Sequence, residues 1–129
     1  MKLTVRTPTR TLVDAAAGRI VAEGLHGAFV LLPRHADLVA PLPAGVLGYD
    51  GEAGERVWVG HDEAVLVKCG PAVSVAALRA LVGPDLDGVR RRVRDDFLAF
   101  AEHEAAARRA LGGLEASLMR RLLEMEIER

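Results

Sequence analysis

Along the first 83 residues the apolar positions fall in short segments of two kinds, alternating and continuous. Lys2-Leu3-Thr4-Val5-Arg6 alternates strictly, as a strand with one buried face does. Glu55-Arg56-Val57-Trp58-Val59 and Ala72-Val73-Ser74-Val75 are read as half-buried strands as well. Residues 28–32 (Ala-Phe-Val-Leu-Leu) and 64–67 (Ala-Val-Leu-Val) are apolar without a break, which predicts strands buried between two layers. Turn-forming pairs separate the runs: Thr7-Pro8, Glu23-Gly24, His26-Gly27, Asp50-Gly51, Ala53-Gly54 and Gly70-Pro71. Strands at intervals of roughly 8–12 residues predict an antiparallel sandwich or barrel.

Beyond position 83 the period changes. Apolar residues fall at Leu86, Val89, Val93, Phe97, Phe100, Ala107, Leu111, Leu114, Leu118, Leu122 and Met125. Steps of three and four place them on one helical face. Asp85 is placed to cap this helix, and Asp87 stands in its first turn, where the helix dipole favours a negative charge. Gly112-Gly113 weakens the pattern by about 1 kcal/mol per glycine. The stripe predicts either one long helix or two helices hinged there. A continuous helix to Glu128 would run roughly 65 Å and could not bury its stripe on so small a sandwich.

Charge follows the same division. All six prolines and ten of the 13 glycines lie at or before Pro84. Residues 1–83 carry 8 basic and 8 acidic side chains; residues 84–129 carry 9 and 10. Two regions follow, 1–83 and 84–129, with the boundary at Gly83-Pro84. The whole chain of 129 residues has a net charge of −1 and five aromatic residues. Neither the basic surplus nor the stacking surface of a nucleic-acid binder is present. Half the residues are apolar, enough for a core. No run approaches the roughly 20 residues of a membrane span, and no signal-peptide core follows Met1. A soluble, cytoplasmic protein is expected.

Candidate chemistry is sparse. Cys69, the lone cysteine, forms no internal disulfide and is expected as a small buried hydrophobe. The four histidines (His26, His35, His61 and His103) show no HxH, HxxxH or HExxH spacing. His61-Asp62-Glu63 is expected as a solvated turn, not as a metal site. No phosphate-binding GxxxxGK[ST] loop and no GxSxG elbow occur, and the only serines are Ser74 and Ser117. No catalytic residue, metal or cofactor is expected. Basic clusters remain: Arg90-Arg91-Arg92-Val93-Arg94, Arg108-Arg109 and Arg120-Arg121. They make either a solvated face with i,i+4 partners such as Arg92 with Asp96, or a grip for an acidic partner or a nucleotide phosphate.

The N-terminal run is more specific. Thr7-Pro8-Thr9-Arg10, Ile20-Val21-Ala22-Glu23-Gly24, the stretch Gly27-Ala28-Phe29-Val30-Leu31-Leu32-Pro33-Arg34-His35-Ala36-Asp37-Leu38-Val39, and Leu42-Pro43-Ala44-Gly45-Val46-Leu47 resemble the ε subunit of F-type ATP synthases. Residues 64–70 and the tail are similar to the alternate ε subunits of second rotary ATPase operons. The resemblance spans nearly the whole chain. It implies a mostly β sandwich of about ten strands in residues 1–83, then an α-helical part, long helix or hairpin, in 84–129. It also implies a non-catalytic rotor subunit, peripheral on the cytoplasmic face of the bacterial inner membrane. The partners implied are γ, the c-ring and, through the C-terminal helices, α and β. Membrane association would come only through the complex.

Residue by residue, the resemblance places Gly27, Ala28, Phe29, Pro33, Arg34 and His35 at the γ/c-ring interface. Ala28 stands where many members carry an acid, and Val30 and Arg34 where glycine is usual. Leu86, Asp87 and Arg90 match the family's ATP motif [IL]-D-x-x-R-A, with Arg91 in place of alanine, so ATP enters as a possible regulatory ligand. Arg92, Arg94, Arg108, Arg109, Arg120 and Arg121 would be regulatory contacts. The family's turn between two helices has no counterpart around residues 103–107. Two competing readings stay open: a stand-alone sandwich that binds a nucleotide or other ligand, and a metal enzyme built on His26, His35 and His61.

Overall fold

The computed structural model describes residues 1–127, apart from the side chains at 98–101 and 126–127. Phe100 of the predicted stripe and the predicted helix end at Glu128 lie outside what is described. The described residues form ten strands: β1 Lys2–Arg6, β2 Thr11–Ala16, β3 Arg19–Gly24, β4 Gly27–Leu31, β5 Leu38–Leu42, β6 Gly45–Asp50, β7 Arg56–His61, β8 Ala64–Cys69, β9 Ala72–Ala77 and β10 Ala80–Gly83. Helix α1 (Leu86–Arg92), a π-helical turn (Val93–Leu98) and helix α2 (Ala99–Ile127) follow.

Two five-stranded sheets face each other. The first has the order β2-β1-β9-β8-β5 and the second β10-β7-β6-β3-β4. Neighbours run antiparallel except β1 and β9, which pair in parallel from Lys2↔Ala72 to Arg6↔Ala76. Alternation explains the layers. Leu3 and Val5, Ile20 and Ala22, Val73 and Val75 point inward and are buried, while their neighbours point out. Leu3, Ile20, Leu31, Leu47 and Leu66 have no accessible surface. Each contributes about 1.5–3 kcal/mol on burial.

The strand pattern holds for β1 to the residue; β7 starts one residue after the predicted run and ends two after it, and β9 extends two residues past its run. The continuous apolar runs behave differently from expectation. β8 is buried only at alternate positions, and Val65 and Val67 are exposed. In β4, Ala28 and Val30 are exposed while Leu31 is buried. Neither strand is covered on both sides: Ala28 and Val30 of β4 and Val65 and Val67 of β8 are exposed. The Cys69 expectation is likewise corrected. Cys69 is exposed at the β8–β9 turn because it falls on the outward parity of β8.

One part of the second sheet's outer face is covered. Val46 and Leu81 pack with Val89 of α1 and Val93 of the π turn, flanked by Trp58, Leu86 and Phe97. Glycines make this floor. A Cβ at Gly60 would come within 2.5 Å of Val93 Cγ2, and one at Gly83 within 2.7 Å of Val89 Cγ2. Gly48 similarly lies under the Trp58 ring. Asp85 caps α1 as expected, accepting from the Gly88 N–H at 3.1 Å. Contacts group residues Met1–Leu98 as one compact unit and Ala99–Arg129 as a second.

Helix α2 passes through Gly112-Gly113 without interruption, so of the two C-terminal alternatives the single long helix is found. A Cβ at either glycine would meet nothing within 4 Å. Along α2, Leu111, Leu114, Leu118, Leu122 and Met125 are exposed.

These contacts predict opposite effects for two glycine substitutions. Gly60→Ala should lower the denaturation midpoint, at a cost of about 1–3 kcal/mol from overpacking against Val93. Gly112→Ala should raise the helicity seen by circular dichroism and stabilise α2 by about 1 kcal/mol.

Candidate functional site

Gly27 turns the chain between β3 and β4 at φ +124°, a conformation that side chains resist. Ala28 beyond it is exposed, and Phe29 is half-buried against the main core. Pro33, Arg34 and His35 stand at the other end of β4, all exposed. There the His35 N–H donates to the Leu32 carbonyl at 2.9 Å, closing the turn, and its Nδ1–H donates to the Ala36 carbonyl at 2.9 Å. The two groups are separated by the length of β4, about 13 Å, so they face opposite ends of the sandwich.

Beside Gly27, Ala28 and Phe29 lies a cleft of about 430 Å³ between the β3–β4 hairpin and β5, closed by Leu25, Val39 and Pro41. It adjoins a larger open cleft of about 800 Å³ that shares Leu25 and Pro41 and is walled by Pro8, Pro43, Val65 and Leu78. Leu25 is 63% exposed and Leu78 74%.

Register shows why this region is apolar. On the outer face of the first sheet, Pro41 pairs with Val65 and Val65 with Ala76. In the next row Val39 pairs with Val67 and Val67 with Ser74. Side chains two apart on a strand share a face, so the rows merge into one patch. Val39 is 70% exposed. The sequence reading missed these residues, although their signal is present: β8 is apolar at both parities, which one covered face does not require.

The predicted nucleotide residues lie on α1. Leu86 is half-buried against the small core beneath α1; Asp87, Arg90 and Arg91 are exposed. Arg90 Nη2 donates to Glu23 Oε1 of β3 at 3.3 Å, tying α1 to the sandwich. Arg92 meets Asp96 at 3.7 Å, as the i,i+4 spacing predicts, and Arg108 meets Glu104 at 3.3 Å. Arg92, Arg94, Arg108, Arg109, Arg120 and Arg121 are exposed.

His61 is not in a solvated turn. It has no accessible surface, because it shares the inward parity of Val57 and Val59 at the end of β7. Its Nδ1–H donates to the Asp62 carbonyl at 2.7 Å. Burial pushes the imidazole below its ordinary value of 6.5, against weaker opposing effects of Asp62 and Glu23. Lys68 is also buried, and its ammonium donates to the Gly70 carbonyl at 2.7 Å. Among the described residues, no three His, Cys, Asp or Glu side chains gather as a metal would require. Among them, too, no helix is long and apolar enough to cross a membrane.

Residues 1–83 match the family model described as ATP synthase, delta/epsilon chain, beta-sandwich domain. The ATP synthase epsilon chain of Moorella thermoacetica is 33% identical, covering 91% of this chain and 96% of its own length. The ATP synthase epsilon chain 2 of Paraburkholderia xenovorans is 30% identical, covering 95% and 90%. Among solved structures, a chain from the Tetrahymena thermophila mitochondrial ATP synthase central stalk and c-ring aligns with a TM-score of 0.54. It has 17% identity over 63% of this chain and 65% of its own. A chain from the Euglena gracilis mitochondrial ATP synthase aligns with a TM-score of 0.57, at 21% identity, over 81% and 62%. This chain therefore spans less than two thirds of the length of either structural neighbour, and those two likenesses speak to fold. The chain belongs to the ATP synthase delta/epsilon family, as an epsilon chain. It is thus a component of a multisubunit complex.

The buried imidazole gives a pH prediction. A folded-state value below the unfolded one means that unfolding takes up a proton, so His61 lowers stability as the pH falls below about 6.5. Urea midpoints measured across that range should fall for the wild type, and His61→Gln should flatten this part of the profile.

Proposed function

We propose that this chain is a non-catalytic subunit of the central rotor of a rotary F1Fo ATP synthase. Its sandwich docks on γ and the c-ring and so helps to couple ion translocation to ATP synthesis. In this reading residues 1–83 are the docking domain and 84–129 the regulatory part, restraining ATP hydrolysis by contacts with α and β. The protein is peripheral on the cytoplasmic face of the inner membrane, held there by the complex.

The observation that supports this reading best is the apolar face of the first sheet. Val39, Pro41, Val65 and Val67 form a surface that continues into the clefts beside Gly27–Phe29. A contiguous apolar face of this kind calls for a protein cover. The exposed stripe of α2 supports the regulatory half in the same way, since an amphipathic helix gains by burying its stripe on a partner. The relatives and the two solved assemblies agree in class. A stand-alone nucleotide-binding module is less well supported, because Arg90 already holds Glu23.

Val65→Lys and Val67→Glu test the docking face in reconstituted complexes. Both sites point outward, so circular dichroism and the melting midpoint should stay within about 0.5 kcal/mol of wild type. Affinity for γ and the c-ring should fall about tenfold or more, as loss of a central anchor does. Unchanged affinity would rule out this face. Truncation after Leu98 tests the tail separately: the complex should still assemble and should hydrolyse ATP faster.

A further inference from the structure

His61 closes β7 with its ring among the inward-facing residues. Because Nδ1–H is given to the Asp62 carbonyl, Nε2 presents a lone pair, and among the described residues it has no hydrogen-bond partner. Asp62 Oδ1 is buried nearby and is also without one. Docking through the first sheet makes no use of either atom.

The strands beside His61 contribute no polar side chain at its level: its register partners are Gly45 of β6 and Ala80 of β10. Beyond Gly45 stands the carboxylate of Glu23 from β3. A Cβ at Gly45 would lie 3.1 Å from Glu23 Oε2. The other oxygen, Oε1, accepts from Arg90 of α1 at 3.3 Å. One carboxylate thus reaches in two directions, toward the helix with Oε1 and toward the His61 strand with Oε2. Its charge favours a proton on His61. The charged groups around His61 are Asp62 in its own turn, Glu23 from β3 and, behind Glu23, Arg90 from α1. Glu63 follows Asp62, and the Arg79 carbonyl accepts the Asp62 N–H at 3.2 Å.

We propose that Glu23 is a counter-ion shared between α1 and the sandwich interior. With His61 neutral it latches α1 through Arg90; when His61 takes a proton, the imidazolium draws the carboxylate inward and loosens that latch. Burial lowers the imidazole from its ordinary value of 6.5 and keeps His61 neutral at neutral pH, so the latch is closed there and opens only as the pH falls below that value. Gly45 leaves room for this arrangement, since a Cβ there would press on Oε2 and the carboxylate would have to give by a few tenths of an ångström. The effect is local: α1 loosens on its glycine floor while the inter-sheet core stays packed. It is a property of this chain by itself and does not depend on what the chain docks on.

Amide hydrogen exchange on the full-length protein at about pH 7.5 and about pH 5, corrected for intrinsic rates, reads the latch directly. Amides of residues 89–93 should lose about two- to fivefold protection in acid relative to those of β1 and β9, as befits a half-exposed ion pair. His61→Gln should abolish that extra loss. Glu23→Gln should weaken protection at both pH values and make it independent of pH. The proposal is overturned if α1 amides track those of β1 and β9, or if His61→Gln leaves the acid loss intact. A second measurement does not depend on a core variant folding. Coupling is reciprocal, so Arg90→Gln, a surface change, should raise the His61 titration midpoint seen by NMR. A midpoint unmoved by Arg90→Gln would equally overturn the shared counter-ion.

Discussion

Two stacked sheets have four faces, and packing them together satisfies only two. Everything else in this molecule follows from how the remaining two are treated. The inner faces close over Leu3, Ile20, Leu47 and Leu66. Part of the second sheet's outer face is met by α1 on a floor of glycines. The first sheet's outer face carries Val39, Val65 and Val67, and all three are exposed. An isolated domain selected for solubility alone would place polar residues there. Apolar residues at both parities of one strand are therefore information about a neighbour, written into a chain that does not contain it.

The same logic separates the two ends of the helical region. Val89 and Val93 reach the sheet because Gly60 and Gly83 leave room for them, and the Arg90–Glu23 pair fixes the position along the groove. The leucines of α2 are exposed at the same period. A period of three and four thus serves two purposes in one continuous stretch, internal packing first and an unmatched surface afterwards.

How much of this was legible beforehand depended on whether local pattern and burial coincide. β1 was read to the residue because each apolar position is also a buried one. β5 was hidden by Pro41 and Pro43; a proline is tolerated there because β5 is the edge of its sheet. β6, Gly-Val-Leu-Gly-Tyr-Asp, lacks alternation because its outward glycine makes room for Trp58. His-Asp-Glu is polar as a triplet and so reads as a solvated turn, whereas the end of β7 turns the His61 imidazole inward. For the candidate site, the Gly27–Phe29 and Pro33–His35 segments were found through family resemblance. The rows Pro41–Val65–Ala76 and Val39–Val67–Ser74 were not, since they exist only once register is known. The Glu23–Arg90 contact joins residues 67 positions apart, and no local rule reaches that far.

The parallel pairing of β1 with β9 has a bearing on biosynthesis. On leaving the ribosome β1 finds its hairpin neighbour β2 at once, but its other edge stays open until residue 76 has emerged. Non-local pairing of this kind slows folding and prolongs the exposure of strand edges. Nascent chains must therefore keep a Leu3- and Val5-bearing edge from pairing wrongly while the residues between β1 and β9 are made. Lys2 and Arg6, at the two ends of that strand, are the charges placed to discourage such association.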